Sequence, residues 1–171
     1  MSAVLPRQEI QRLLSQNPPL LEGMVNVDEQ LQPNGVDLTL RQIAMFSSSG
    51  KIGRNNLERQ LSNTSPLVFD SLGDMELMAG AYLVTFNEIV NLPPDVMAIG
   101  QTRSSLLRCG VSINNAIWDA GYSGRSQALL VVFNPYGFRL KKDARLLQLV
   151  FFRLTTATES VYKGMFQGEN K

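Results

Sequence analysis

The chain has 171 residues, enough to bury one core of its own, and its 16 Lys+Arg against 15 Asp+Glu leave a net charge of +1, which excludes the global basic field that holds nucleic acid or an anionic membrane. There is no histidine, so a Ser-His-Asp triad, a Cys-His pair and a histidine-plus-cysteine zinc site are excluded as well. One cysteine, Cys109, cannot form an intramolecular disulfide, and chemistry is left to carboxylates, bound water and a hard, oxygen-seeking metal such as magnesium.

The opening residues, MSAVLPRQEI, lack a basic n-region and an apolar h-region, and no apolar run approaches the roughly 20 residues needed to cross a bilayer. The sequence therefore reads as one cytoplasmic domain, 1–171, with no membrane partner. Residues 6–15, PRQEIQRLLS, put Pro at the first helical position and Ile10, Leu13 and Leu14 at helical spacing, which predicts a short amphipathic helix within an N-terminal region 1–20. After QNPPLLEG, the segment GVDLTLRQIAMF (35–46) alternates as a strand does, and 47–65, SSSGKIGRNNLERQLSNTS, is polar and rich in breakers, which predicts a surface loop.

From Leu67 the pattern becomes short β-prone runs separated by turn residues: LVFD, DMELMAG, YLVTFNEIVNLP, VMAIGQT, GVSINNAIW, SQALLVVFN, FRLKKD and ARLLQLVFFRL. Only RSSLLRCG has a helical look. Many short strands without interleaved long helices predict a mainly β fold, a distorted β-barrel or jelly-roll with a short N-terminal helix and a small internal one. Residues 156–171 form a C-terminal tail.

Two stretches offer chemistry. In GQTRSSLLRCG (100–110), Arg103 and Arg108 flank Ser104 and Ser105 at a helix start; hydroxyls, guanidiniums and exposed N–H groups make an anion cradle suited to a di- or triphosphate. The same spacing fits an ordinary connector helix capped by Ser104. In WDAGYSG (118–124), Asp119 stands in a glycine-bearing turn at the mouth of a strand, where a turn aspartate can hydrogen-bond its own backbone. The strand that follows has no ionisable side chain from Gln127 to Phe133.

RSSLLRCGV, followed about ten residues later by the acid of WDAGYSG and then by a strand ending in Asn134, resembles the second and third motifs of the dCTP deaminase and trimeric dUTPase superfamily. PNGVDLTL, around Asp37, is similar to its first motif, and RLLQLVFFRL is similar to its late strand with a glutamine, here Gln148. The likeness covers most of the chain. The N-terminal helix and the tail VYKGMFQGENK look closer to the deaminase branch, and the glycine-rich C-terminal arm of the trimeric dUTPases is missing.

The resemblance implies a dUTPase-like β-barrel, assembled as a homotrimer with active sites between subunits. It implies Asp119 as the group that activates water, with Arg103, Ser104, Ser105 and Arg108 holding phosphates. Nucleoside contacts would come from Asn115, Tyr122, Gln148, Tyr162 and Gln167, with Tyr122 under the deoxyribose. Mg2+ would be held mainly through substrate phosphates and water, with an indirect role for Asp37, and the tail would close over the site as a lid. The segment SINNAIW (112–118) would supply backbone groups to a pyrimidine. In the tail, Met165 and Glu169 replace an expected lysine and glutamine, and Lys163 is a candidate substitute.

Deamination needs one more group: a proton shuttle that serves both the attacking water and the leaving nitrogen. The glutamate implied for that task falls on Val131, whereas hydrolysis between the α- and β-phosphates needs one carboxylate beside water. The sequence therefore points to dUTP diphosphatase activity. The alternatives are a deaminase or bifunctional enzyme whose acid comes from Glu76, Glu88 or Glu169, and a non-catalytic nucleotide-binding β-domain.

Overall fold

The computed structural model describes residues 3–171, and strands account for most of its regular structure. The elements run α1 (Arg7–Leu14), β1 (Leu21–Glu22), α2 (Val27–Gln30), β2 (Leu31–Gln32), β3 (Gly35–Phe46), β4 (Thr64–Pro66), β5 (Asp74–Leu77), β6 (Gly80–Phe86), β7 (Ile89–Asn91), β8 (Val96–Thr102), α3 (Ser104–Arg108), β9 (Val111–Asn114), β10 (Ser123–Gly124), β11 (Gln127–Val132), β12 (Phe138–Lys141) and β13 (Arg145–Arg153). The dominant sheet has the order β8-β13-β3-β6-β11-β9, with β2 and β4 also on β3. A three-stranded sheet β1-β7-β10 and the pair β12-β5 flank it.

β3 is the hub because it changes partners midway. Its first half pairs with β13, from Val36↔Leu149 to Thr39↔Arg145, and its second half pairs with β6, from Leu40↔Phe86 to Met45↔Tyr82. Both ladders carry an irregularity beside this switch, where local twist increases and an extra residue loses its regular partner. The two ends of the sheet meet without a full ladder. Thr102 at the end of β8 accepts from the Ile113 N–H and donates to the Ile113 carbonyl, both at 2.9 Å, and Ala98 exchanges backbone bonds with Trp118. The result is the nearly closed β-barrel that the run of short strands predicts.

The core is aliphatic and aromatic: Ile10 and Leu13 of α1, Leu38, Leu40 and Ile43 of β3, Phe86, Leu130, Leu147, Leu149 and Phe151 are all buried. Phe86 closes β6 against the first half-turn of the switch and is fully buried. Phe86→Ala is expected to cost about 3–5 kcal/mol, the sum of lost transfer energy and an unfilled cavity; chemical denaturation of the variant measures it.

Two expectations need correction. Pro6 is the N-cap of α1 rather than its first helical residue, with an extended ψ of 164° and its carbonyl accepting from Ile10 N–H at 3.1 Å. The segment 47–65 is not an irregular loop throughout. Lys51 and Gln60 exchange both backbone hydrogen bonds at 2.8 Å, a short 3-10 turn spans Asn56–Glu58, and Thr64 begins β4 against Phe46. Backbone pairing needs no apolar side chain, so a polar composition did not disclose it.

Candidate functional site

α3 follows β8 directly. Its N-cap is Arg103, which supplies no side-chain cap, and Ser104, Ser105 and Arg108 are exposed. The reading of Ser104 as a cap is therefore not what the chain does: the helix starts one residue earlier. The two hydroxyls and the Arg108 guanidinium make no hydrogen bond or ion pair among the described residues, so their donors are open to solvent.

Arg103 behaves differently. Its Nε lies 3.0 Å from Asp37 Oδ2, its Nη1 donates to the Arg145 carbonyl at 3.3 Å, and Arg145 Nη1 approaches the same Asp37 oxygen at 3.5 Å. Asp37 is only 2 % exposed. Burial pushes its carboxyl above the usual range, and the Arg103 and Arg145 guanidiniums pull the other way. Two cations share one carboxylate, so the cluster keeps a net positive charge beside Ser104 and Ser105. Arg145 carries no feature in the sequence that singles it out; only the pairing of β13 with β3 brings it to Asp37.

Asp119 is exposed, and its carboxylate has no partner among the described residues; the turn is closed by its backbone carbonyl, which accepts from Tyr122 N–H at 3.0 Å. It does not bond its own backbone through the side chain, as a structural turn aspartate would. Its neighbour Trp118 pairs with Ala98, and five residue steps along the chain lead from Ala98 through the end of β8 to Arg103. At about 3.3 Å per extended residue that span is roughly 16 Å. Within one chain the exposed acid lies beside the first half of β8, and α3 follows the end of that strand.

The strand after the turn is as the sequence leaves it. Gln127, Leu129 and Val131 lie on the less buried face of β11, and Val131 pairs with Ser112 on one side and Ala81 on the other. Asn115 packs its Oδ1 over Gly100 and donates to the Ala116 carbonyl at 3.0 Å. Gln148 lies over Gly35, half-buried, and its amide makes no hydrogen bond among the described residues. The segment 112–118 is divided between two strands: β9 ends at Asn114, and the chain crosses so that Trp118 joins β8.

The tail docks on the acid-bearing turn. Tyr162 N–H donates to the Ala120 carbonyl, Gln167 donates to Gly121 and accepts from Ser123 N–H, and Gly168 N–H donates to Ser123. Gly121 makes this approach workable: its φ is +83°, and a Cβ there would come within 2.5 Å of Val161 Cβ. Tyr122 is 5 % exposed, edge-on to Tyr162 at 5.7 Å between ring centroids, and donates its hydroxyl to Glu169 at 2.8 Å. In this state its ring is covered by the tail and by Tyr162.

Burial raises the Glu169 carboxyl above its usual range, against the opposing pull of the Tyr122 hydroxyl, and burial followed by the Glu169 contact raises the Tyr122 hydroxyl, which stays a donor. The docked tail thus binds the Glu169 proton more tightly than a released tail. Its stabilisation is fully present below the ordinary glutamate value of 4.5 and is lost as pH rises through the raised one. Hydrogen exchange at the Gly168 and Arg125 amides is expected to quicken over that window beyond its intrinsic rate, and Glu169→Gln is expected to remove the excess.

A family model described as dCTP deaminase-like matches residues 4–154. The chain belongs to the dCTP deaminase-like family. Within and around this family, it is 48% identical over 168 residues to a protein of Methanosarcina mazei named probable deoxyuridine 5'-triphosphate nucleotidohydrolase, covering 98% of each chain. It is 35% identical over 143 residues to the deoxyuridine 5'-triphosphate nucleotidohydrolase of Methanocaldococcus jannaschii, covering 82% of this chain and 89% of that one. The crystal structure of 2'-deoxycytidine 5'-triphosphate deaminase from Agrobacterium tumefaciens superposes with a TM-score of 0.68 at 23% identity, over 88% of this chain and 48% of that chain; it shares the dCTP deaminase-like fold. No helix among the described residues is long and apolar enough to cross a membrane.

Proposed function

We propose that this protein is a dUTP diphosphatase, converting dUTP and water to dUMP and diphosphate. The carrying observation is a pairing of presence and absence: Asp119 offers an exposed, unpartnered carboxylate, and β11 offers no ionisable group beside it. A lone base is enough to orient and deprotonate water for attack at the α-phosphorus, while donors stabilise the charge that builds on the phosphoryl oxygens. The full-length likeness to a named dUTP nucleotidohydrolase supports the same reading. The acids that might replace a missing shuttle are otherwise engaged: Glu76 faces Arg139 at 3.9 Å, Glu88 is sealed in the core, and Glu169 holds Tyr122.

In this reading Ser104, Ser105 and Arg108 bind the phosphates, and Arg103 contributes charge from its place on Asp37. Asn115 and the unpaired amide of Gln148 serve the nucleoside. Tyr122, Tyr162 and Gln167 close the acid-bearing turn under the tail, which excludes water once substrate is in place. The residues fit a magnesium ion that arrives on the triphosphate: no group of three or more carboxylates or other metal-binding side chains occurs among the described residues, and Asp37 is taken by two arginines. Such an ion supplies charge neutralisation at the phosphoryl oxygens.

Base and phosphate cradle must lie within a few ångströms of one substrate, yet about 16 Å of β8 lies between them in a single chain. This favours sites assembled from two copies in a homotrimer. Exposed apolar side chains at the ends of the β12-β5 pair, Leu72, Met78 and Tyr136, offer surface for such contacts. The deciding assay offers dUTP, dCTP, dTTP and UTP with Mg2+ and separates diphosphate from ammonia. Diphosphate from dUTP without ammonia from dCTP is expected; ammonia from dCTP would overturn the reading of β11.

A further inference from the structure

The most enclosed charge in the molecule is unused by this chemistry. Glu88, in the turn between β6 and β7, is 0 % exposed and has no ion pair among the described residues. Its carboxylate accepts three hydrogen bonds: Oε2 accepts from Thr39 N–H at 2.9 Å, and Oε1 accepts from the Thr39 hydroxyl and from Gln30 Nε2, both at 2.6 Å. The Thr39 hydroxyl donates to Glu88 while its oxygen accepts from Asn87 Nδ2 at 3.0 Å. Every group facing Glu88 therefore donates, and an acceptor-only carboxylate fits where an amide would set N–H against N–H.

The location gives this cluster its reach. Thr39 is where β3 leaves β13 and Leu40 is where it joins β6, so Glu88 supplies the acceptor that no neighbouring strand provides for Thr39 N–H. Gln30 uses the same side-chain nitrogen to hold the Asp37 carbonyl at 2.8 Å. Residues 37–39 are thus fixed from Glu88 directly and through Gln30, and side chains two apart on a strand share a face. The Asp37 carboxylate, so placed, receives Arg103 Nε at 3.0 Å, and Arg103 is the N-cap of α3.

We infer that Glu88 is a positioning residue, which acts through Gln30 and the 37–39 backbone to hold Asp37 where it orients Arg103 and the start of the phosphate-facing helix. The kinetic part rests on the dUTPase reading; the geometric part does not. A buried carboxylate with no ion pair in contact, and with the Arg125 guanidinium interacting only through space, costs stability, and its retention at a partner switch fits a role in setting geometry.

The test follows the Nε–H signal of Arg103 by 1H–15N NMR, identified by its loss in Arg103→Lys, together with the indole signal of Trp118, the chain's single tryptophan, which donates to Ser126 Oγ at 2.9 Å. Glu88→Gln is expected to shift or broaden the Arg103 signal and leave that of Trp118 in place. It is expected to lower kcat/KM for dUTP roughly tenfold, as loss of a hydrogen bond to a charged group does, and to add little to the loss in Asp37→Asn, because the two act in series. An unchanged Arg103 signal in folded Glu88→Gln, or losses that add fully with Asp37→Asn, overturns the inference. If Glu88→Gln loses the Trp118 signal and so is unfolded, Gln30→Met cuts the route from Glu88 to the Asp37 carbonyl while Thr39 still holds Glu88, and the same two outcomes decide. A wild type that turns over no dUTP refutes the dUTPase reading alone, since the Arg103 signal still reports on Glu88.

Discussion

Asp119→Asn is expected to lower kcat for dUTP hydrolysis by roughly 10²- to 10⁴-fold, the usual contribution of a positioned general base, with little change in affinity for a non-hydrolysable dUTP analogue. The reasoning is local. Asp119 has no hydrogen-bond partner whose loss would disturb the turn, which is closed by backbone, and it is exposed, so an amide of the same shape is accommodated without strain. Stability should therefore stay within about 0.5 kcal/mol of the parent, and the loss should sit in the chemical step. Steady-state kinetics with analogue titration separates the two. A variant that keeps most of its turnover would remove Asp119 from the role of base.

The second large effect concerns how sites are shared. Asp119→Asn and Arg108→Ala homo-oligomers are each expected to be nearly inactive, yet co-refolding them in equal amounts is expected to restore about a quarter of wild-type turnover, because random assembly joins an intact Asp119 to an intact Arg108 from another copy at half of half the sites. A site contained in one chain predicts no recovery, since every subunit carries one defect. The strand distance argues for recovery: Trp118 fixes the acid beside Ala98, while Arg108 lies beyond the far end of β8. Measuring turnover against mixing ratio distinguishes the outcomes, and a maximum at equal amounts is the expected shape.

What the sequence made legible was local. β3 runs over 35–46 and β8 over 96–102, as alternation and turn residues predict, and the one short helical run among the strands is α3. Those elements are specified by side-chain period within a few residues. The contacts that define the candidate site are not. Asp37 meets Arg103 and Arg145 only after β3, β8 and β13 are laid side by side, and an aspartate at a strand start has no local mark of that fate. Glu88 was visible as one acid in the apolar run YLVTFNEIVNLP, but its reason for being there lies 49 residues upstream at Thr39. Similarly, the docking of the tail on Gly121 and Ser123 is a tertiary event, read from the left-handed φ of Gly121 rather than from tail composition.

The hydroxyl of Thr102 has a mechanical consequence. A cylinder whose last seam is fastened at two points, the Thr102 hydroxyl and the Ala98–Trp118 bridge, where other strands are laced by rows of amides, has a preferred line along which it yields. That line runs between the end of β8, just before α3, and β9. Strain introduced by a bulky guest on either side would be relieved there first, letting the two halves of a ligand site part slightly while the rest of the wall stays rigid.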